Sequence, residues 1–340
     1  MFINILEALY QMSIKELDFY IEKSLAEKNV LSEIKHGYKH ADCIKIFNHT
    51  SALNVLVIGD TIIDEYAFGE TLERTKKEPV LVFQQKKSKF FAGGILAIAN
   101  HLAEFCKNIT LITHIGGDEI ADRLLKDSLN KDIKKELFFN KEPTLIKKRY
   151  VESYWNRKLF EVYNKEPNIP DLPEKDIINY LENNIEKFDI VVVGDFGHGL
   201  ISSNILKLIS EKAKYLAINV QTNSGNFCFN LATKIPKADF VSITKEELQL
   251  AMQDKTSDVF SLIKRLNEKI GCGRINITLG RKGSLYFYDD SFYYCPALSN
   301  HVIDTVGAGD AVFSVTSLVS LANQDPRLVP FLGNCAGALA

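Results

Sequence analysis

The chain has 340 residues, of which 46% are hydrophobic and 25% are charged, and its formal net charge is −2. This composition can bury a sizeable core, and it excludes the polybasic surfaces that bind nucleic acid or anionic membranes. No apolar run approaches the roughly 18 residues that span a bilayer, so we expect small-molecule partners, with no nucleic acid and no membrane. Six scattered cysteines without a C-x-x-C pair favour the reducing cytoplasm over a disulfide or zinc framework.

Residues 1–50 differ from the rest of the chain and are predicted to form a helical N-terminal extension. The segment Ser13-Ile14-Lys15-Glu16 matches a capping box, and apolar residues then recur at helical spacing as far as Leu25. Three alternatives fit this pattern. The helix is an element for homodimerisation, a linker from an upstream domain, or a helix that packs on the body of the protein.

From residue 54 onward, apolar runs alternate with helical patterns. The predicted strands are Val55–Ile58, Thr110–Thr113, Ile190–Val193, Leu216–Val220, Phe240–Ile243 and Ile275–Leu279. Continuous apolar runs separated by helices are typical of a mostly parallel sheet that helices cover on both faces. The sequence therefore predicts a three-layer α/β/α fold. Two segments, at about 78–91 and 137–163, are rich in Val, Phe and Tyr and lack helix caps, so we assign them to a small β-lid.

The chemistry is concentrated near the C-terminus, in the heptapeptide that runs from Asp304 to Asp310 with the letters D-T-V-G-A-G-D. Gly307, Ala308 and Gly309 leave backbone N–H groups free to converge on an anion at the start of an apolar helix, where the helix dipole also favours negative charge. A carboxylate in that turn cannot bind an anion. Asp310 is therefore predicted to be the base that takes a proton from an attacking hydroxyl during phosphoryl transfer.

This heptapeptide resembles the C-terminal signature of the PfkB, or ribokinase-like, family of carbohydrate kinases. The resemblance covers residues 51–340 and implies a ribokinase-like kinase domain that uses ATP and Mg²⁺ to phosphorylate a sugar hydroxyl. It also implies that Asp64 binds sugar hydroxyls and that the Gly93-Gly94 turn lets the backbone approach the sugar. Family members carry an asparagine soon after this turn; Ala97 stands there, and Asn100 is the nearest candidate.

Within the family, the chain is most similar to the kinases that phosphorylate D-glycero-D-manno-heptose 7-phosphate. Lys147 and Arg149 in the segment after Pro143, together with Arg157, would suit the phosphate of such a sugar; the alternative is a solvated basic hairpin. Asp195 begins a stretch that resembles a D-Y-x-K-G segment of these kinases, so it is counted with the substrate-binding residues. Some of their relatives are fused to a nucleotidyltransferase, which is therefore an expected upstream or separate partner.

The nucleotide side of the site is also inferred from the resemblance. Thr278, Gly280 and Gly283 match a T-L-G-x-x-G turn that lies against the nucleotide, and Glu247 matches the glutamate of an N-x-x-E motif that organises the water shell of Mg²⁺. The alternative for Glu247 is a helix start, where acidic residues are favoured. The remaining candidates on this side are Asn219, Thr244 and Asn334. The sequence stops within an alanine-rich helix pattern that includes Asn334, which indicates a truncated C-terminus or an open nucleotide pocket.

Two readings of function follow. The first is an ATP-dependent sugar or sugar-phosphate kinase that supplies precursors for nucleotide-activated sugars and polysaccharides. The second is a non-catalytic regulatory protein that keeps the fold to bind sugar or nucleotide. Thr244, in place of the N-x-x-E asparagine, and Ala97 favour the second reading. The complete heptapeptide ending at Asp310 favours the first.

Overall fold

A computed structural model describes residues 31–34, 36–75, 77–164, 172–299, 306–322 and 325–340. Its helices are α1 His40–Thr50, α2 Ile95–Ala103, α3 Glu119–Asp127, α4 Glu174–Asn184, α5 Ser203–Lys212, α6 Lys245–Met252, α7 Val259–Ile270, α8 Ala308–Ala322 and α9 Leu328–Leu339. Its strands are β1 Asn54–Gly59, β2 Thr61–Arg74, β3 Leu81–Gly94, β4 Asn108–Gly116, β5 Lys134–Asn140, β6 Leu145–Glu152, β7 Arg157–Tyr163, β8 Ile190–Asp195, β9 Leu216–Val220, β10 Phe240–Thr244, β11 Arg274–Thr278, β12 Ser284–Tyr288 and β13 Ser291–Cys295. The predicted helix between Ile14 and Leu25 lies outside the described residues.

The large sheet has nine strands in the order β13-β12-β11-β10-β9-β8-β1-β4-β5. All its pairings are parallel except those of β12 and β13, which extend one edge as antiparallel strands. The predicted α/β class with a mostly parallel sheet is confirmed. The six predicted strands all belong to this sheet, and the structure adds β5, β12 and β13 at its edges.

Two apolar layers fill the space on either side of the large sheet. One layer packs residues of α1, α2, α3, α8 and α9 against the sheet, and the other packs α4, α5, α6 and α7. Successive residues of β1 alternate between them, with Val55 and Val57 in the first layer and Leu56 and Ile58 in the second. Residues 40–50 thus share the core beside the large sheet through Ile46 and Phe47 of α1.

A second sheet of four strands, in the order β3-β2-β6-β7, forms the lid. The sequence located β3, β6 and β7 but missed β2, which continues from β1 after Asp60 and is the central strand between β3 and β6. The predicted lid segment 137–163 needs a correction. Residues 137–140 belong to β5 and pair with β4 in the large sheet, because the apolar side chains of Leu137 and Phe138 pack against the core there.

Candidate functional site

The lid contributes one acidic and two basic side chains at its junction with the large sheet. Asp64 on β2 lies in register with Lys147 on β6, two residues before Arg149. Side chains two residues apart share one face of a sheet, so the three groups line the same side of the lid. Arg149 forms an ion pair with Asp64 through Nη1, and its Nε lies 2.5 Å from Glu161 Oε1 on β7.

The guanidinium of Arg149 is therefore already balanced by two carboxylates. Arg149 is buried, and its ring-stacked position over Tyr66, 5.4 Å from the ring centroid, also limits its movement. A buried cation with two acid partners holds its neighbours in place more readily than it recruits a further anion. The arrangement fixes the carboxylate of Asp64, which the sequence assigned to the sugar.

The glycine pair at the end of β3 brings the backbone against this carboxylate. A Cβ atom on Gly93 would lie 2.0 Å from Asp64 Oδ2, and one on Gly94 would lie 2.7 Å from the carbonyl oxygen of Asp60. Gly94 also has φ +55°, a conformation that favours glycine. Both glycines are thus required by the space beside Asp60 and Asp64.

The heptapeptide turn ends at the N-terminus of α8, where Asp304 and Thr305 lie outside the described residues. Gly307 has φ +87°, and a Cβ atom on Gly307 or Gly309 would meet no other atom within 4 Å. The turn therefore leaves an open cradle in front of the first turn of α8. Its backbone N–H groups are those that a helix leaves without intrahelical partners.

Asp310 lies in the first turn of α8, and its side chain is half-buried. Burial and, to a lesser extent, the nearby carboxylate of Asp64 raise the pKa of Asp310 to about 7, while the ammonium of Lys147 lowers it. These couplings link the helix to the lid, because Asp64 and Lys147 both lie on lid strands. A carboxyl group with a pKa near neutrality is suited to exchange a proton with a hydroxyl.

Glu247 lies in the first turn of α6, directly after the end of β10. Its Oε2 accepts the backbone N–H of Thr244 at 2.8 Å, while Thr244 Oγ1 accepts the N–H of Glu247 at 3.1 Å, which completes a capping box. Its Oε1 accepts the N–H of Thr222 at 3.1 Å. Burial raises the pKa of Glu247, and these backbone donors lower it. Asn219, on the neighbouring strand, donates to the carbonyl oxygen of Ser242 at 2.7 Å.

The second glycine turn follows β11, after Thr278. Gly280 and Gly283 have φ of +58° and +99°, and the turn is closed by the N–H of Leu279, which donates to the Gly283 carbonyl oxygen at 2.8 Å. A Cβ atom on Gly283 would lie 2.1 Å from the carbonyl oxygen of Cys295, whereas one on Gly280 would meet nothing within 4 Å. This turn is thus packed on one side and open on the other.

Asp195 is buried and has its own partners. It forms an ion pair with Lys234, and its Oδ1 accepts the side chain of Asn230 at 3.2 Å and the N–H of Gly197 at 3.1 Å. Burial raises the pKa of Asp195, and Lys234 lowers it. These contacts hold the loops after β8 and β9 together, so they give the residue a structural role beside the proposed one in substrate binding.

Asp60 is a buried acid that sequence reasoning did not assign to the site. It accepts the backbone N–H groups of His198 at 3.1 Å and Leu200 at 3.0 Å. Its position after the first strand, next to a glycine, was the only signal that could have found it. Burial raises its pKa, and these two donors lower it.

Three other predicted residues are engaged elsewhere. Asn100 donates to the Ser128 carbonyl oxygen at 2.9 Å and accepts the N–H of Asn130 at 2.9 Å, which secures the turn after α3. Asn334 donates to the carbonyl oxygens of Cys295 and Pro296 at 2.9 and 3.0 Å and accepts Ser284 Oγ at 2.9 Å. Arg157 is exposed at the start of β7, where it lies opposite Glu152 in the β6–β7 register. Their roles in ligand binding stay predictions.

Residues 52–340 match the model of the pfkB family carbohydrate kinases. The chain belongs to the pfkB family of carbohydrate kinases. Among curated relatives, it is 24% identical over 300 residues to the bifunctional protein HldE of Koribacter versatilis, a match that covers 86% of this chain and 60% of that protein. It is 27% identical over 266 residues to the bifunctional protein HldE of Aliarcobacter butzleri, covering 77% of this chain and 55% of that protein. The chain thus spans somewhat more than half the length of these relatives.

Solved structures of pfkB-type kinases share this fold. The structure of phosphofructokinase-2 from Escherichia coli in complex with substrates and products superposes with a TM-score of 0.66 at 17% identity, covering 85% of this chain and 92% of that one. Ribokinase from Arabidopsis thaliana, complexed with ribose and ATP, gives a TM-score of 0.63 at 16% identity over 85% of this chain and 92% of that one. The predicted resemblance to ribokinase-like carbohydrate kinases is confirmed.

The part of the chain that the structure describes holds neither a membrane-spanning helix nor a metal cluster. No helix there is long and apolar enough to cross a membrane. No cluster of three or more His, Cys, Asp or Glu side chains in these residues could hold a metal ion.

Proposed function

We propose that this pfkB-family chain is an ATP-dependent kinase that phosphorylates a hydroxyl group of a sugar phosphate similar to heptose 7-phosphate. The observation that carries this proposal is Asp310, a carboxyl with a pKa of about 7, placed directly behind the open glycine cradle of α8. A base and an anion-binding helix end at one point are what phosphoryl transfer requires. The sugar class is supported by the Pro143 segment and by the relatives named HldE.

The reaction follows from these positions. Asp64, held by Arg149, accepts hydrogen bonds from sugar hydroxyls and orients the sugar beneath the lid. Asp310 takes the proton of the acceptor hydroxyl as its oxygen forms a bond to the γ-phosphorus of ATP. The bond between that phosphorus and the bridging oxygen breaks, and its electron pair leaves on ADP. Backbone N–H groups at the α8 cradle stabilise the negative charge that spreads over the transferred group.

Nucleotide and metal fit the remaining residues in different ways. The open side of the Gly280 turn and the cradle at Gly307 provide backbone donors without side-chain obstruction, which suits nucleotide phosphates. Glu247 has both carboxylate oxygens bonded to backbone N–H groups, so it suits contact with Mg²⁺ through water rather than direct coordination. When bound, Mg²⁺ would neutralise charge on the phosphates.

The test is ADP release from Mg-ATP with a panel of sugars and sugar phosphates that includes heptose 7-phosphate. Asp310→Asn is expected to lower turnover by about 100-fold or more while retaining nucleotide binding, since a general base contributes on that scale. Asp122→Asn is the matched control, because it removes an exposed carboxylate from the first turn of α3. Near-normal turnover in Asp310→Asn would contradict the proposed base. Nucleotide or sugar binding without any turnover would support the regulatory reading instead.

A further inference from the structure

Lys147 is a buried cation that forms no ion pair with a carboxylate in the part of the chain that the structure describes. The residue is 6% exposed, and its ammonium lies 5.3 Å from the ring centroid of Tyr163. Among the residues that the structure describes, no carboxylate oxygen lies within 4 Å of it. The adjacent cations differ, because Lys148 lies 3.0 Å from Glu65 and Arg149 pairs with two acids.

Such a cation is costly in the free protein. Removing an ammonium from water is unfavourable unless a counter-ion contacts it, and burial lowers the pKa of Lys147, while the charge of the neighbouring Asp64 raises it in part. An anion bound against it would recover part of that cost. The arrangement therefore indicates that Lys147 meets an anion in the working complex.

The position of Lys147 indicates which anion contacts it. It neighbours Asp64 across the β2–β6 pairing, and its charge acts on Asp310 at the start of α8. The ammonium is thus directed to the space between the lid and the catalytic base, where the acceptor hydroxyl and the transferred phosphoryl group meet. The phosphate that a sugar phosphate already carries lies at the other end of the sugar.

The other lid cations do not join Lys147 in a common phosphate site. Arg149 is balanced by Asp64 and Glu161. Arg157 lies opposite Glu152 in the β6–β7 register, five residues along β6 from Lys147, which is roughly 16 Å at the rise of a strand. The three basic residues that the sequence analysis assigned to one sugar phosphate therefore do not form a single phosphate site.

We propose that Lys147 is a catalytic residue that contacts the transferred phosphoryl group and stabilises its charge in the transition state. This inference rests on the proposed kinase function and adds a side-chain donor from the lid to the backbone donors of α8. A lysine serves this purpose as a point charge on phosphate oxygens. Because Lys147 lies on the lid strand β6 and not in the core, its charge lies next to the phosphoryl group only where the lid covers the sugar.

The test compares Lys147→Met with Lys148→Met, a control on the next residue whose side chain points to the other face of the lid and lies 3.0 Å from Glu65. With the best sugar from the panel, Lys147→Met is expected to lower kcat by about 100- to 1,000-fold and to change the sugar KM by less than about threefold. Lys147→Arg should recover part of the loss. If Lys147→Met instead raises the KM for a sugar phosphate at unchanged kcat, the lysine holds the sugar's own phosphate and the inference is overturned.

A second measurement does not need turnover. Mg-ADP with aluminium fluoride mimics the phosphoryl group in transfer, and its binding can be followed by calorimetry. We expect the unmodified chain and Lys148→Met to bind this mixture at least tenfold more tightly than Lys147→Met, with Mg-ADP alone bound equally by all three. Equal binding of the fluoride mixture overturns the inference. If the unmodified chain phosphorylates no sugar but shows this difference, the proposed substrate class fails and the role of Lys147 stands.

Discussion

The contact between Gly93 and Asp64 gives the sharpest test of the site. Gly93→Ala would place a Cβ atom 2.0 Å from Asp64 Oδ2, whereas ordinary contacts of this kind begin at 3.4 Å. The carboxylate must therefore retreat by about 1.4 Å, away from the position in which Arg149 holds it. A misplacement of this size can cost about 100-fold in rate, so we expect kcat/KM for the sugar to fall about 100-fold, equivalent to about 2.7 kcal/mol.

Stability should respond much less. Gly93 does not have a positive φ, and the nearest obstacle is the end of a side chain, so the folded backbone can accept alanine. Sugar kinetics by ADP release and urea unfolding would be measured together, with Gly117→Ala as control, because a Cβ atom there meets nothing within 4 Å. The reasoning is refuted if Gly93→Ala keeps kcat/KM within threefold of the unmodified chain, or if the control loses as much activity.

Of four further predictions, two address the base, one the sheet and one the buried ion pair. The pKa of Asp310 rises from 3.8 to about 7 on folding, so the folded chain binds this proton more tightly than the unfolded chain, and stability is lost as pH rises through that interval. Asp310→Asn should therefore raise the melting temperature more at pH 8 than at pH 5. An equal rise at both pH values would count against the shift in pKa. The same pKa predicts that kcat/KM increases about tenfold per pH unit below pH 7 and then levels off, and a profile that is flat down to pH 5 would exclude Asp310 as the base. Gly59→Ala should strongly destabilise the fold in thermal unfolding, because its Cβ atom would lie 2.2 Å from the carbonyl oxygen of Gly194 on the neighbouring strand, and a change in melting temperature as small as that of Gly117→Ala would contradict this. Lys234→Met should cost about 3 kcal/mol in urea unfolding because it leaves Asp195 buried without its cation, and adding Asp195→Asn should restore part of that loss; additive losses would show that the pair is not coupled.

Much of the fold could be predicted from local sequence because the signals are local. Each central strand is a continuous apolar run, since both of its faces are covered by helices. The strands that escaped prediction lack such runs. In β5, polar Lys134 and Glu136 precede the buried end of the strand, and β2 alternates in a way that suits a lid with one exposed face.

The candidate site shows the same division. The glycine turns and the first-turn position of Asp310 are written in consecutive residues, because backbone conformation and helix starts depend on near neighbours. The sequence by itself therefore determined the layered fold, the glycine turns and the place of Asp310 at a helix start, and with them the family to which the chain belongs.

Only the tertiary structure decided which charged groups are free. Arg149 meets Asp64 across 85 residues of sequence, and Asn230 meets Asp195 across 35. No local pattern contains these pairings, because they arise when the lid and the loops after separate strands come together. They neutralise Arg149 and enclose Asp195, and among the described residues they leave the buried Lys147 with no carboxylate oxygen within 4 Å. The sequence could name the charged residues, but their burial and their partners depend on how distant segments pack.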